Sequence, residues 1–337
     1  MERHGSASAA YEAFSYDARR LVGEKAYAEL AKAKERGLDA LSEALAGQGV
    51  AALTLKEAGY PARLRPVPDA PELLYVRGQL SERPAVAIVG SRHDTRYGRD
   101  MAFRLARDLA AAGVTVVSGL ARGIDTAAHR GALAAKGRTV AVLGCGLDQV
   151  YPPDNRDLAQ EIVRTGGALV SEFPLGASPL PYHFPRRNRI ISGLADALLL
   201  IEAALRSGTQ STVNHALEQG RTVFALPGNV DAPGSELPIK LLKEGAELCA
   251  CASDILCRLP GVAPSNNGEA SPCSPAEAEQ ASGDPVVRAL LREEKTFEEL
   301  LAETGLAPGD LSARLSLLEL DEVIEKRAGR AYALVQR

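Results

Sequence analysis

At 337 residues the chain is too long for one small core and points to two or three domains. A hydrophobic content of 46% is ordinary for a globular protein, while a formal charge of −4 excludes a surface that coats nucleic acid generally, so any polyanion site must be local. No apolar run reaches the ~18 residues of a membrane span, and Met1-Glu2-Arg3-His4-Gly5 opens no signal segment, so the reading is a cytoplasmic protein without a membrane partner.

Residues 1–70 read as a small, alanine-rich helical accessory domain, with helices over 11–20, 24–36 and 38–45 punctuated by Gly37 and by Gly47-Gln48-Gly49. No motif there carries chemistry. Pro61, Pro66, Pro68 and Pro71 then force an extended connector, and Glu72-Leu73-Leu74-Tyr75-Val76 follows as a predicted edge strand.

Residues 71–259 read as the main domain. Apolar runs over 85–89, 114–117, 139–143, 168–170, 197–201 and 222–226 alternate with helical patterns. That alternation predicts an α/β fold of βαβ units on a parallel sheet. Ligands of such sheets gather beyond the carboxyl ends of the strands, so the residues just after each run should carry function. Cys249, Cys251 and Cys257 lack the paired spacing of a zinc site; they read as buried, reduced thiols, and no metal is expected. Residues 260–283, rich in Pro, Ser, Gly, Asn and Glu, read as a flexible linker. Residues 284–337 read as a winged helix-turn-helix: a helix over 286–291, a second opened by the capping box Thr296-Phe297-Glu298-Glu299, a third over 308–319, and a hairpin of 323–326 with 330–335.

The turns after the apolar runs hold the candidate chemistry. Gly90-Ser91-Arg92, with Tyr97-Gly98 opening a helix, sets a hydroxyl, a guanidinium and backbone donors at a strand end, which suits a phosphate. In Val116-Val117-Ser118-Gly119-Leu120-Ala121-Arg122-Gly123-Ile124-Asp125, a buried strand hands over to an alanine-rich helix. Gly119 and Gly123 allow close backbone approach, and the first free N–H groups of that helix should face an anion beside Arg122. The segment from Tyr182 to Arg189 reads as a loop in which Arg186, Arg187 and Arg189 track a backbone while Phe184 stacks on a base. Arg206-Ser207-Gly208-Thr209 is a further small-residue turn before a helix. Singly, each reads equally well as an ordinary turn or a solvated face. Their convergence on one sheet edge decides the matter, and residues 83–138 carry ten Arg and Lys against four Asp and Glu. Neither Gly-x-Gly-x-x-Gly nor a P-loop lysine motif is present. Arginines spread over successive loops suit a row of phosphates, and an extended single strand fits best.

These segments, together with Val142-Leu143-Gly144-Cys145-Gly146-Leu147-Asp148, Tyr151-Pro152, Ser171-Glu172-Phe173-Pro174 and Phe224-Ala225-Leu226-Pro227-Gly228, resemble in kind and order the DNA-processing protein A family, DprA or Smf. The resemblance covers about residues 60–250. It implies an extended Rossmann-like parallel sheet that binds and protects single-stranded DNA without catalysis or cofactor. It also implies loading of RecA recombinase during natural transformation, and a homodimer formed through the C-terminal part of the Rossmann-like domain. By this matching Ser91, Arg92, Gly119, Arg122, Gly123, Phe184, Arg186, Arg187, Asn188 and Arg189, with Ser207, Gly208 and Thr209, are the expected single-strand contacts. The chain departs from the family pattern at Ser235-Glu236-Leu237-Pro238-Ile239, where a Gly and an Asn are missing.

Residues 284–337 hold eight Arg and Lys against eleven Asp and Glu, and the helix over 308–319 offers only Arg314, so protein contacts are expected there rather than DNA reading. The alternative is a nucleotide phosphoribohydrolase of the lysine-decarboxylase-like (LOG) type. Such an enzyme needs a double glycine and a glutamate where this chain has Arg206-Ser207-Gly208 and Thr212. A transcription regulator is a third reading, disfavoured by the acidic tail.

Overall fold

The computed structural model describes residues 23–259, 285–290, 294–320, 324–326 and 331–334. The helix expected over 11–20 and the linker over 260–283 lie outside them. The chain divides into two compact units, Met1–Val262 and Ala263–Arg337.

The first unit opens with α1 (Glu24–Gly47), which changes direction at Gly37, where φ is 76°. Then come β1 (Val50–Thr54), β2 (Leu73–Gly78), β3 (Ala85–Val89), α2 (Arg96–Ala111), β4 (Thr115–Ser118), α3 (Ile124–Ala134) and β5 (Thr139–Val142). After them follow α4 (Arg156–Arg164), β6 (Ala168–Ser171), α5 (His183–Gly193), β7 (Ala197–Leu200), α6 (Thr209–Glu218), β8 (Thr222–Ala225), α7 (Glu236–Lys243), β9 (Glu247–Leu248) and α8 (Ala252–Leu256). The strands form one sheet in the order β1-β2-β6-β5-β4-β3-β7-β8-β9. β3 to β9 run parallel, and β1 and β2 add an antiparallel pair on β6.

Every residue of β3 is buried because both sheet faces are covered. Side chains alternate: Ala85, Ala87 and Val89 join a core with Ile190, Val213 and Leu241, while Val86 and Ile88 join another with Leu105, Ile124 and Ile255. A third core packs Leu45 and Val50 on Leu158, Ile162 and Leu169. From β3 the chain steps outward through β4, β5 and β6, then crosses back to β7 on the other side of β3. That reversal places a topological switch point between β3 and β7.

Two expectations need correction. The strand at Leu73 is not at the edge; β1 lies outside it. Residues 50–70 are also not helical: they supply β1 and then Tyr60, Leu64 and Val67, which are buried in the sheet core. Alanines make β1 resemble the helix before it, and its antiparallel partner β2 decides its state.

The second unit contains α9 (Pro285–Ala289), β10 (Lys295–Thr296), α10 (Phe297–Thr304), α11 (Pro308–Leu320), β11 (Ile324–Lys326) and β12 (Ala331–Leu334). The strands pair antiparallel in the order β10-β12-β11. Val286, Leu290, Leu300, Leu311, Leu315 and Ile324 form its core. The expected capping box is formed: Glu299 Oε2 accepts from the Thr296 N–H at 2.7 Å, and Thr296 Oγ1 accepts from the Glu299 N–H at 3.4 Å.

His129, fully buried on α3, supplies a pH signature for the first unit. Thr139 spends its one hydroxyl hydrogen on the Val116 carbonyl at 2.7 Å, so Nδ1–H of His129 is the donor in their 2.7 Å contact. Nε2 has no hydrogen-bond partner among the described residues. Burial, with the charge of Arg187 second, lowers the imidazole pKa from 6.5 to about 3. Below pH ~6.5 the unfolded chain therefore binds a proton that the folded state refuses, and stability is lost as pH falls toward 3. In urea denaturation the protein should be about 1.4 kcal/mol less stable at pH ~5.5 than at pH ~7.5 on account of this residue. His129→Asn should lower stability at both pH values and remove that increment; an unchanged pH increment would refute the assignment.

Candidate nucleic-acid interface

The carboxyl ends of β3, β4 and β5 meet over α5. β3 ends in Gly90, where a Cβ would strike the Ile124 side chain at 2.6 Å and the Glu202 carbonyl at 2.9 Å. Ser91 N–H donates to the Glu202 carbonyl at 2.7 Å, its carbonyl accepts from Ile124 N–H at 3.2 Å, and its hydroxyl closes a small turn with His93. Gly123, at φ 79°, would drive a Cβ into the Ser91 carbonyl, so the two loops are locked together. Arg92 stands exposed on top of them.

In the two strand-to-helix turns expected to receive an anion, several donors are already engaged from within. Glu202, which follows β7 and is 6% exposed, accepts from Thr95 N–H at 2.5 Å and from the Thr95 hydroxyl at 2.8 Å at the start of α2. Gly98 is bare because a Cβ would overlap that carboxylate. In the loop before α3 the carboxylate of Asp125, which sits in the first turn of that helix, accepts from Gly119 N–H at 3.1 Å and Ala121 N–H at 3.3 Å. These donors therefore do not face a ligand. A helix N-terminus stabilises a buried carboxylate for the same reason it would stabilise a phosphate. Burial raises the Asp125 pKa, opposed first by the charge of Arg187 and then by these backbone N–H groups.

The expected loop around Phe184 is instead helical, forming α5, and helical periodicity sends its arginines in different directions. Arg187 points into the sheet ends, where it donates to the carbonyls of Gly119, at 2.7 Å, and of Val142. A Cβ on Gly119 would lie 2.7–2.8 Å from its guanidinium, which explains that glycine. Burial lowers the Arg187 pKa to about 10, so it stays cationic at neutral pH. Arg189 is buried too, bidentate on Glu172 at 2.7 and 2.9 Å and bonded to the Asp69 carbonyl at 2.8 Å. Arg186, one turn back on the same face, meets Glu172 at 3.2 Å and is largely exposed. Asn188 donates to Ser211 Oγ at 2.7 Å, tying α5 to α6.

Phe184 lies at the centre of what remains open. Its ring has the Arg92 guanidinium 5.5 Å away, that of Arg187 5.9 Å away and the Tyr151 ring at 5.5 Å. Gly144 clears its ring: a Cβ there would lie 3.1 Å from it. Tyr151 is 44% exposed and completes an aromatic shelf that the sequence reading did not single out. Its loop also carries Asp154, which binds Arg122 at 2.7 and 2.9 Å in an exposed pair. The hydroxyl of Thr209 donates to the Gly90 carbonyl at 3.0 Å, and the Ser207 hydroxyl is buried without a partner among the described residues. Gly208 is exposed beside them. Of the expected contacts, Arg92, Arg122, Phe184, Arg186 and Gly208 are thus open or partly open, while Arg187 and Arg189 serve the scaffold. Glu202 was legible only as an acidic residue directly after the run over 197–201.

Among the described residues no His, Cys, Asp and Glu cluster is placed to hold a metal ion, and no helix is long and apolar enough to cross a membrane. Thr212, at the position of the glutamate that a phosphoribohydrolase requires, is buried in α6. Of the three described cysteines near the end of the unit, Cys249 is buried, Cys251 is half-buried and Cys257 is exposed, so the expectation of buried thiols holds for the first.

Comparison with known proteins adds the family. The profile of the DNA recombination-mediator protein A family matches residues 51–260. Protein Smf of Escherichia coli strain K12 is 50% identical over 199 residues, which are 58% of this chain and 53% of that protein, so the match spans about half its length. The structure of DNA processing protein A from Streptococcus pneumoniae superposes with a TM-score of 0.61 at 36% identity, covering 72% of this chain and 85% of that one. DNA processing protein A from Helicobacter pylori, whose structure was described for its single-stranded DNA binding mode, superposes with a TM-score of 0.56 at 30% identity, covering 61% of this chain and 93% of that one.

Arg187 offers a test of this architecture. Arg187→Ala leaves two buried carbonyls unpaired and removes the cation near Asp125, and should cost about 3–5 kcal/mol in urea denaturation. Gly119→Ala, which displaces the guanidinium, should also destabilise. A loss below about 1 kcal/mol for Arg187→Ala would show that the bracing described here is not what holds the loops.

Proposed function

The chain belongs to the DNA recombination-mediator protein A family, and from that premise we propose that it binds single-stranded DNA along the rim formed by Arg92, Arg122, Phe184, Tyr151 and Arg186. The observation that carries the reading is the aromatic shelf of Phe184 and Tyr151 beside exposed guanidinium groups, with Glu202 and Asp125 already engaging donors of the two neighbouring strand-to-helix turns. A mononucleotide needs a preformed phosphate cradle. A polynucleotide needs mobile cations along its path and a surface on which bases stack. The rim meets the second requirement. Ser91, Gly119, Gly123 and the segment Ser207-Gly208-Thr209 shape its floor, and Arg187, Asn188 and Arg189 hold it in place.

The binding is non-catalytic in this reading, requires no cofactor and serves to protect the strand and to load RecA recombinase onto it. A homodimer through the C-terminal part of the sheet domain belongs to the same reading. The N-terminal segment serves as an accessory part of the first unit. The second unit is a winged helix, and its net acidity and single Arg314 on α11 favour protein contacts over DNA reading. Release of free base from a nucleoside monophosphate by the purified protein would instead favour the phosphoribohydrolase.

Fluorescence anisotropy with a labelled thymidine oligonucleotide at several salt concentrations tests the rim. Arg92→Ala should weaken binding and reduce the log–log salt slope by about 0.7. Arg122→Ala should do less, because Asp154 already neutralises it, and Asp154→Asn should tighten binding. Phe184→Ala should cost about 1–3 kcal/mol with little change in slope. Unchanged binding in all of these variants would remove the proposed site.

A further inference from the structure

A groove of about 630 Å³ lies beside α4, outside the rim. It is lined by α4, by the loop over 147–150, by Arg77 of β2 and by Leu169 of β6. Arg156, Gln160 and Arg164 all line it, at i, i+4 and i+8 on α4. Asp157 and Glu161, each one residue further on and so turned by about 100°, do not. The helix thus sends its cations to the groove and its carboxylates elsewhere. Arg156 has no ion pair among the described residues, and Arg164 meets Glu161 only at 3.9 Å. Arg77 donates from Nη2 to Gln48 Oε1 at 3.2 Å, while its Nε is buried without a partner among the described residues. The acid in the lining, Asp148, is engaged by Gly176 N–H at 2.9 Å. Leu147, Val163 and Leu169 supply apolar surface between the charges.

The groove and the rim adjoin along the chain. Val150 lines the groove, and the next residue, Tyr151, contacts Phe184. Asp154 holds Arg122, and Arg156 follows two residues later. From Arg156 to Arg164 the helix advances about 12 Å, room for a short run of phosphates. We infer that the groove is a second track for the sugar–phosphate chain of single-stranded DNA, continuing the strand seated on Phe184 and Tyr151. The inference rests on the reading of the rim given above.

The test uses the full chain with labelled thymidine oligonucleotides of about six and about twenty nucleotides, lengths that bracket a single-domain footprint. Arg156→Ala/Arg164→Ala, both on an exposed helix face, should leave the short probe bound within about twofold. The long probe should bind about tenfold more weakly, with a salt slope smaller by about 1.4, two phosphate contacts' worth. The corresponding double lysine variant should restore most of that loss. Long-probe binding equal to wild type, or equal losses for both probes, overturns the groove while leaving the rim intact. If the wild-type protein binds neither probe, the rim reading falls and the groove falls with it. Weakened long-probe binding that an acidic phosphopeptide displaces at micromolar concentration would reassign the groove to a protein partner.

Discussion

One buried guanidinium governs the shape of the carboxyl edge of the sheet. Arg187 reaches from α5 to the carbonyls that end β4 and β5, and it does so under the ring of Phe184. Its charge survives burial because fixed backbone dipoles and the nearby Asp125 compensate the lost hydration. Gly119 must lack a side chain, and Gly144 leaves room for the aromatic ring. The aromatic shelf therefore inherits its position from a cation that never meets solvent. Rigid support of this kind is what a stacking surface requires, since a loose ring loses its advantage to side-chain entropy.

The same edge differs from a nucleotide-binding Rossmann site in how it treats its helix termini. In dinucleotide enzymes the N-terminus of the first helix is left open to a pyrophosphate. Here Thr95, held by Glu202, caps α2 through the Gly98 N–H, and Asp125 engages the Gly119 and Ala121 N–H groups of the loop before α3. Both glycines that would suggest a phosphate loop, Gly98 and Gly119, are explained by close protein contacts instead. Glycine spacing alone could not separate these cases, because an internal carboxylate and an external phosphate ask the same of the backbone.

Most of the sheet was legible in the sequence. Six of the seven parallel strands fell within a residue or two of their predicted runs, since strands buried on both faces read as continuous apolar stretches, and the two-residue β9 was missed. Of the fold's antiparallel margin, β2 was legible and β1 was not: β1 is alanine-bearing, and only its pairing with β2 makes it a strand. The clustered arginines were visible, yet their roles were not. Three cations in four residues look alike as a string, whereas on α5 one faces solvent, one the sheet and one Glu172. Tyr151 was visible only as part of the family resemblance, and its place beside Phe184, 33 residues away in sequence, is set by its loop.

The order of the sheet also constrains how the chain comes together. β2 pairs with β6, Tyr75 opposite Ser171, so the first two strands leave the ribosome about a hundred residues before their partner exists. Arg63 waits longer still: its guanidinium binds Asp196 at 2.6 Å, and its carbonyl accepts from Arg221 at 2.9 Å. During synthesis the apolar side chains of Leu64, Leu74 and Val76 have nowhere to dock. Vectorial synthesis therefore builds the parallel sheet outward from β3, and the antiparallel segment made before it must wait for partners made after it.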